Sequence, residues 1–188
     1  MADNNNTNLK EDLEKIYADI SEWLKFAETK HAAALALWTA LIVAVMTEEI
    51  VTSINFTYYC ILVILLIAGM LLDVVSFIPF LDRKKLIANK CYKRIKKKTT
   101  ITDNLVFYQN IFLVAGSPKL ALDIRVENYK NKLKLQYNAI PQDVIINAYI
   151  EQIVSVATVA TIKVYLFNIV ARYILCLVLA AILCIIIA

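Results

Sequence analysis

The stretch FAETKHAAALALWTALIVAVM, residues 26–46, begins as a charged helix and ends as a wholly apolar one. Glu28, Lys30 and His31 lie near its start, and the next ionisable residue is Glu48. No glycine or proline interrupts the stretch, so nothing in it breaks a helix. The pattern therefore predicts one continuous helix that enters a membrane, with ionisable groups placed at the entry.

Composition supports the membrane class. Of 188 residues, 60% are hydrophobic and only two are glycine, and long apolar stretches of this kind are typical of membrane proteins. The first residues lack the basic start of a signal peptide, so the apolar segments are expected to be mature spans. There is one histidine and no GxSxG, HExxH or phosphate-loop motif. We therefore expect no enzyme, no cofactor and no metal site, and we interpret Cys60, Cys91, Cys176 and Cys184 as apolar filler.

The chain is predicted to be an all-α membrane protein with three transmembrane helices, a small helical cytoplasmic domain and an oligomeric assembly. Apolar residues from Leu9 to Ala27, Trp23 among them, recur at spacings of three and four over residues 8–30, which indicates an amphipathic helix. A charged helix is expected from about Pro118 to Tyr137. After Pro141 no further glycine or proline occurs, so one helix is expected to run to the end of the sequence. The predicted segments are a cytoplasmic helix (1–30), the first span with an outer loop (31–53), the second span (54–81), a basic cytoplasmic segment (82–140), the cytoplasmic part of the last helix (141–165) and the third span (166–188).

Charge predicts the orientation. The loop TEEIVTSIN, residues 47–55, has no Lys or Arg, whereas residues 82–98 have nine against one Asp. The positive-inside rule then places the N-terminus and the basic segment in the cytoplasm and the C-terminus outside. Residues 1–31 carry four basic and seven acidic groups, net −3, and residues 82–143 carry fourteen and five, net +9. Such a basic lobe attracts anionic lipid or an anionic ligand.

A polar face runs along the last helix at spacings of three or four residues. Its members are Glu151, Ser155, Thr158, Thr161, Tyr165, Asn168 and Arg172, and the same face continues as Cys176, Leu179, Leu183 and Ile186. One interpretation is hydrogen bonding between packed membrane helices. The other is a pore axis, with residues from Thr161 to Ile186 lining a vestibule and an apolar gate. Three spans cannot enclose a water path alone, so the second interpretation requires a homo-oligomer, with a tetramer favoured.

Two charged residues fall inside predicted spans. Asp73 and Arg172 lie at comparable depth from the inner surface when the rise is about 1.5 Å per residue. A lone charge in a membrane is costly. We therefore expect an ion pair between Asp73 and Arg172, with Arg172 as a pore-lining charge as the alternative.

The entry FAETKHAA resembles the start of the membrane effectors of bacterial anti-phage nucleotide-signalling systems, the Pycsar transmembrane effector family. Members commonly show a Phe-Ala-Asp-x-Lys-Ala entry, here with Glu28 in place of Asp and His31 before the alanine run. The segments NLVFYQNI (104–111), ENY (127–129) and EQIVSVATVATIKVYLFNI (151–169) are also similar to this family.

The resemblance implies an anti-phage effector that permeabilises the bacterial inner membrane, with depolarisation and abortive infection as the outcome. It implies a nucleotide or oligonucleotide signal from a partner nucleotidyltransferase or cyclase, while the similar channel effector of the Hailong system leaves the sign of control open. The residues expected to bind the nucleotide are Lys30, Lys93, Arg94, Lys96, Lys97, Lys98 and Lys163. Lys30 and Lys163 alternatively snorkel to lipid phosphates. The alternative function is a non-channel membrane-disrupting toxin or a scaffold anchored to anionic membrane lipids.

Overall fold

The computed structural model describes residues 2–47, 55–77, 85–98, 107–137 and 143–187. Every regular element in these ranges is an α-helix, which confirms the all-α prediction. The helices are α1 (Ala2–Val45), α2 (Phe56–Phe77), α3 (Lys85–Lys98), α4 (Tyr108–Ala115), α5 (Leu122–Tyr137) and α6 (Val144–Ile187).

Helix α1 joins the predicted amphipathic segment to the predicted first span without a break. Its apolar face is buried from Leu9 through Leu13, Ile16 and Ile20, at the spacing that places side chains on one side of a helix. Trp23, which was predicted on the same face, lies at its edge and is 41% exposed. Continuity follows from the absence of any glycine or proline before residue 69.

Helix α2 is the most apolar span, and local signals set its start. The Asn55 side-chain oxygen accepts a hydrogen bond from the backbone N–H of Thr57 at 3.0 Å, as an N-capping residue does. The last described residue is Phe77, two residues before Pro79, which cannot continue a helix. The predicted span reached residue 81, and residues 78–81 lie outside the described part of the chain.

The middle segment forms a helical corner. Helix α4 ends at Gly116, whose φ of 98° favours glycine. The Nδ2 of Asn128 on α5 donates to the Ala115 carbonyl at 3.1 Å, which satisfies a carbonyl left open at the end of α4. A helix was predicted to start near Pro118, but residues 117–120 form a turn in which the Leu120 N–H donates to Ser117, so α5 starts at Leu122.

Helix α6 runs for 44 residues, close to the predicted continuous helix. Asp143 starts it, because its side chain accepts from the Ile145 N–H at 2.8 Å. Together with Leu9–Val45 and Phe56–Val75, the segment Val144–Ala180 is long and apolar enough to cross a membrane. The three predicted spans are thereby confirmed among the described residues.

The chain divides into two compact units. The polar unit comprises Met1–Phe26 and Phe80–Lys163, and the membrane unit comprises Ala27–Pro79 and Val164–Ala188. The buried centre of the membrane unit consists of Ala34, Trp38, Leu66 and Val170, one or two residues from each of its three helices.

Candidate functional sites

A buried hydrogen bond joins α1 to α2 inside the membrane unit. The Nδ1 of His31 lies 2.6 Å from Oδ1 of Asp73, and the two side chains are only 1% and 0% exposed. The Phe167 ring from α6 stands edge-on to the imidazole at 5.6 Å, and Lys30 Nζ lies 5.3 Å from the centre of that ring. A charged or polar group in this setting needs such a partner because water is excluded.

This contact corrects the predicted pairing of Asp73 with Arg172. Asp73 contacts His31 instead, while the Arg172 side chain is exposed. The prediction placed Asp73 and Arg172 at equal depth but treated His31 as part of the entry, outside the span. Because the first apolar run is short, the charged entry lies within the helical bundle and brings His31 level with Asp73. The signal available in the sequence was that His31 is the single histidine, directly before an uncharged helix.

Next to this pair, α1, α2 and α6 interlock through two aromatic rings and one glycine. A Cβ built on Gly69 would lie 2.7 Å from Trp38 Cζ2 and 2.8 Å from Tyr173 Cε1, so only glycine fits there. The Tyr173 hydroxyl donates to the Leu65 carbonyl at 3.0 Å. Trp38 is fully buried, and its indole Nε1 has no hydrogen-bond partner among the described residues.

The predicted polar face of α6 changes its environment along the helix. Within the polar unit Glu151 is exposed, Ser155 and Thr158 are half-buried, and Thr161 is 1% exposed. The Thr161 hydroxyl donates to the Ala157 carbonyl at 2.7 Å, as threonine often does inside helices. Thr161 is therefore buried within the single chain, and its place in the vestibule of an oligomer stays a prediction.

Farther along the same face, the side chains become open to the surroundings. In the membrane unit Tyr165 is half-buried, whereas Asn168, Arg172, Cys176 and Leu179 are exposed. The side chains of Leu183 and Ile186, the predicted end of the gate, lie outside the described part of the chain. The outer half of the predicted pore face is thus available for another surface or for water.

The predicted nucleotide-binding cations are distributed over both units. Lys93, Arg94, Lys96 and Lys97 form an exposed basic strip on α3, and the side chain of Lys98 lies outside the described residues. Lys163 belongs to the polar unit and is only 8% exposed, whereas Lys30 belongs to the membrane unit and is half-buried. The four residues of the strip therefore lie together on α3, and nucleotide binding by Lys30 and Lys163 remains a prediction.

A buried arginine in the polar unit was missed by the sequence analysis. Arg125 on α5 is 6% exposed, and its Nη2 donates to the Thr158 hydroxyl on α6 at 2.6 Å. The Thr158 hydroxyl in turn donates to the Val154 carbonyl at 2.6 Å. Burial lowers the pKa of Arg125, while Tyr92 on α3 raises it. The available signal was one basic residue in the mostly apolar stretch LALDIRV, three residues after Leu122.

Burial also decides the chemistry of the remaining polar-unit groups. The Cys91 thiol is fully buried, which raises its pKa to about 12 and makes it a poor nucleophile. Burial likewise raises the pKa of Tyr129, whose side chain is 0% exposed. These groups therefore belong to the buried core of the polar unit rather than to a reactive site.

The three apolar helices and the buried polar contacts define an all-helical, multi-pass membrane protein. Residues 12–188 match the Pycsar effector protein domain, and the chain belongs to this family of anti-phage effectors. Membership implies a cyclic nucleotide signal made by a partner cyclase. Comparisons with curated proteins and with solved structures gave no match.

Proposed function

We propose that the protein forms an oligomeric pore or ion channel in the bacterial inner membrane, controlled by a cyclic nucleotide. Opening the pore would depolarise the membrane of an infected cell. The protein acts without catalysis of its own. The N-terminus and the basic α3 lie in the cytoplasm, where the partner cyclase releases its product, and the C-terminus lies outside.

The observation that carries this proposal is the exposed polar face of α6. Asn168, Arg172 and Cys176 are exposed on a helix that is long and apolar enough to cross a membrane. An arginine that faces lipid is costly, whereas one that faces a water-filled axis or a polar subunit interface is not. Copies of the chain placed around an axis would give Asn168 and Arg172 that environment.

Cys176 offers a direct test of the axis. A negatively charged, membrane-impermeant methanethiosulfonate reagent should reach Cys176 only through water, and its attachment should reduce the current through an open pore. Cys176→Ser should abolish this block, while Cys60→Ser, on the half-buried face of α2, should leave it unchanged. A current that is indifferent to the reagent in the wild-type chain would contradict the axis assignment.

The control by nucleotide is tested in planar bilayers that contain the purified protein. We expect unitary currents whose open probability changes with one of the four 3′,5′-cyclic mononucleotides added on the α3 side. The exposed strip of Lys93, Arg94, Lys96 and Lys97 supports the alternative, a membrane-disrupting protein bound to anionic lipid. Leakage without fixed unitary steps, dependent on anionic lipid, would favour that alternative.

A further inference from the structure

The polar unit contains a buried cation whose described contact is a neutral hydroxyl. The Arg125 side chain is 6% exposed, and its Nη2 donates to Thr158 at 2.6 Å. Its Nε is buried and has no hydrogen-bond partner among the described residues. An arginine cannot shed its proton to escape this cost. A buried cation without a counter-charge is costly, and a bound anion would lower that cost.

The geometry points to the phosphate of a cyclic nucleotide as the anion that Arg125 receives. The inference rests on the proposed nucleotide control and names the residue that carries it. A guanidinium presents several donors in a fixed plane, which suits the two free oxygens of a phosphodiester. A cyclic mononucleotide carries one negative charge, and one arginine neutralises it.

The surroundings of Arg125 suit such a ligand. Tyr92 on α3 lies close enough to influence the pKa of the guanidinium, and Lys96 Nζ lies 5.9 Å from the centre of the Tyr92 ring. Tyr92 and Thr158 are both half-buried, so the rim of the site is not sealed. The exposed strip on α3 then attracts the anion over a distance, while Arg125 holds it.

The hydrogen bond between Arg125 and Thr158 links ligand binding to the attachment of α5 to α6. Nη2 of Arg125 fastens α5 to α6 through the Thr158 hydroxyl. A phosphate that occupies the guanidinium competes with Thr158 for these donors, because both ligands accept hydrogen bonds. Binding therefore releases α6, the helix that also supplies Asn168 and Arg172.

The test measures binding by the full-length protein in detergent without anionic lipid, at constant ionic strength. The probes are the four 3′,5′-cyclic mononucleotides and inorganic phosphate, titrated calorimetrically. Arg125→Gln should weaken the best nucleotide by about 10- to 100-fold, the range for a lost charged hydrogen bond. Lys134→Gln, which removes an exposed cation from α5 outside the basic strip, should change affinity by less than about threefold, since an exposed charge contributes little.

Thr158→Val gives the sharper result, because the competition predicts a gain. Removing the hydroxyl frees Nη2, so affinity should rise by about two- to tenfold, the net contribution of a typical intramolecular hydrogen bond. A purely structural role for the contact predicts equal or weaker binding, and that result would overturn the inference. If Arg125→Gln does not fold, Thr158→Val decides alone.

Other outcomes distinguish nucleotide binding by Arg125 from the proposed channel activity. Wild-type affinity in Arg125→Gln, or no binding of any nucleotide to the wild-type chain, would overturn the assignment of Arg125. Equal affinity for inorganic phosphate and all nucleotides would overturn the nucleotide as ligand. Binding that depends on Arg125, without any change in bilayer current, would retain the receptor and refute the proposed channel.

Discussion

The two units each bury a basic side chain, but they compensate it differently. In the membrane unit, His31 is given a carboxylate, Asp73, at 2.6 Å. In the polar unit, Arg125 is given a neutral hydroxyl, Thr158, at the same distance of 2.6 Å. The two contacts have the same length and differ in their acceptor, which is an acidic side chain for His31 and a neutral hydroxyl for Arg125.

The difference indicates which unit supplies an acidic partner for its buried basic side chain. The His31–Asp73 contact pairs a base with an acid inside the chain, as a low-dielectric setting requires. The hydroxyl beside the Arg125 guanidinium does not neutralise its charge, so among the described residues a place is left for a second molecule to supply the anion. In our proposal the membrane unit therefore keeps one stable arrangement, and the polar unit responds to the ligand.

The largest expected effect comes from breaking the compensated pair. Asp73→Leu leaves His31 beside an apolar side chain, which should cost about 3–5 kcal/mol of unfolding free energy. The double variant Asp73→Leu with His31→Leu should recover part of that loss, because a buried polar pair can be replaced by apolar groups. Unfolding of the purified protein in a denaturing detergent titration measures both.

The control for this prediction is Asp19→Asn, an exposed aspartate on α1, which should change stability by less than about 0.5 kcal/mol. A double variant as unstable as the Asp73→Leu variant would contradict pairing as the source of the effect.

Packing beside the pair gives the next largest effect. Gly69→Ala should destabilise the membrane unit by about 1–3 kcal/mol, since the added methyl group would overlap Trp38 and Tyr173. Ala68→Val, one position earlier on the exposed face of α2, is the matched control and should be nearly neutral. Thermal unfolding followed by size-exclusion chromatography measures the difference, and equal losses in both variants would refute the interlock.

A smaller loss of stability is expected when a single hydroxyl group, that of Tyr173, is removed. Tyr173→Phe removes the hydrogen bond to the Leu65 carbonyl but keeps the ring near Trp38, so the cost should be about 0.5–1.5 kcal/mol. Tyr58→Phe, at a residue 68% exposed on α2, should have no measurable effect in the same detergent titration. A larger loss from Tyr58→Phe than from Tyr173→Phe would contradict the assigned contact.

The smallest change in stability is expected at Arg125, whose charge has no neutralising partner among the described residues. Arg125→Met exchanges a buried cation for an apolar side chain of similar length, so stability without nucleotide should change by less than about 1 kcal/mol or rise. Unfolding titrations in phosphate-free buffer measure this. A loss as large as that of Asp73→Leu would show that Arg125 is already compensated, and the contrast between the units would disappear.

Helix positions could be predicted from the sequence because they depend on local signals. The apolar spacing of Leu9, Leu13 and Ile16 predicts the buried face of α1, and the absence of breakers predicts the length of α6. The start of α5 was placed too early at Pro118, because the turn depends on the backbone of Ser117 and on Gly116.

The polar contacts could not be predicted to the same extent. Pairing between helices depends on their relative depth and rotation, and an error of one helical turn exchanges one partner for another. This error gave Asp73 the partner Arg172 in place of His31. Arg125 was overlooked for a related reason, because the sequence gives its charge but not that α6 covers it. By contrast, the exposure of Lys93 and Arg94 followed directly from their clustering on α3.

The distribution of tryptophan makes each unit separately visible by fluorescence. The chain has two tryptophans, of which Trp23 lies in the polar unit and Trp38 in the membrane unit. Trp38 is fully buried and should emit at short wavelength, whereas Trp23 is 41% exposed and should emit at longer wavelength and be quenched by iodide. A Trp23→Phe chain therefore reports only on the helices around Gly69, and a Trp38→Phe chain only on the surroundings of Tyr108. Stopped-flow mixing with a nucleotide would then time the optical response of each unit and reveal which one changes first.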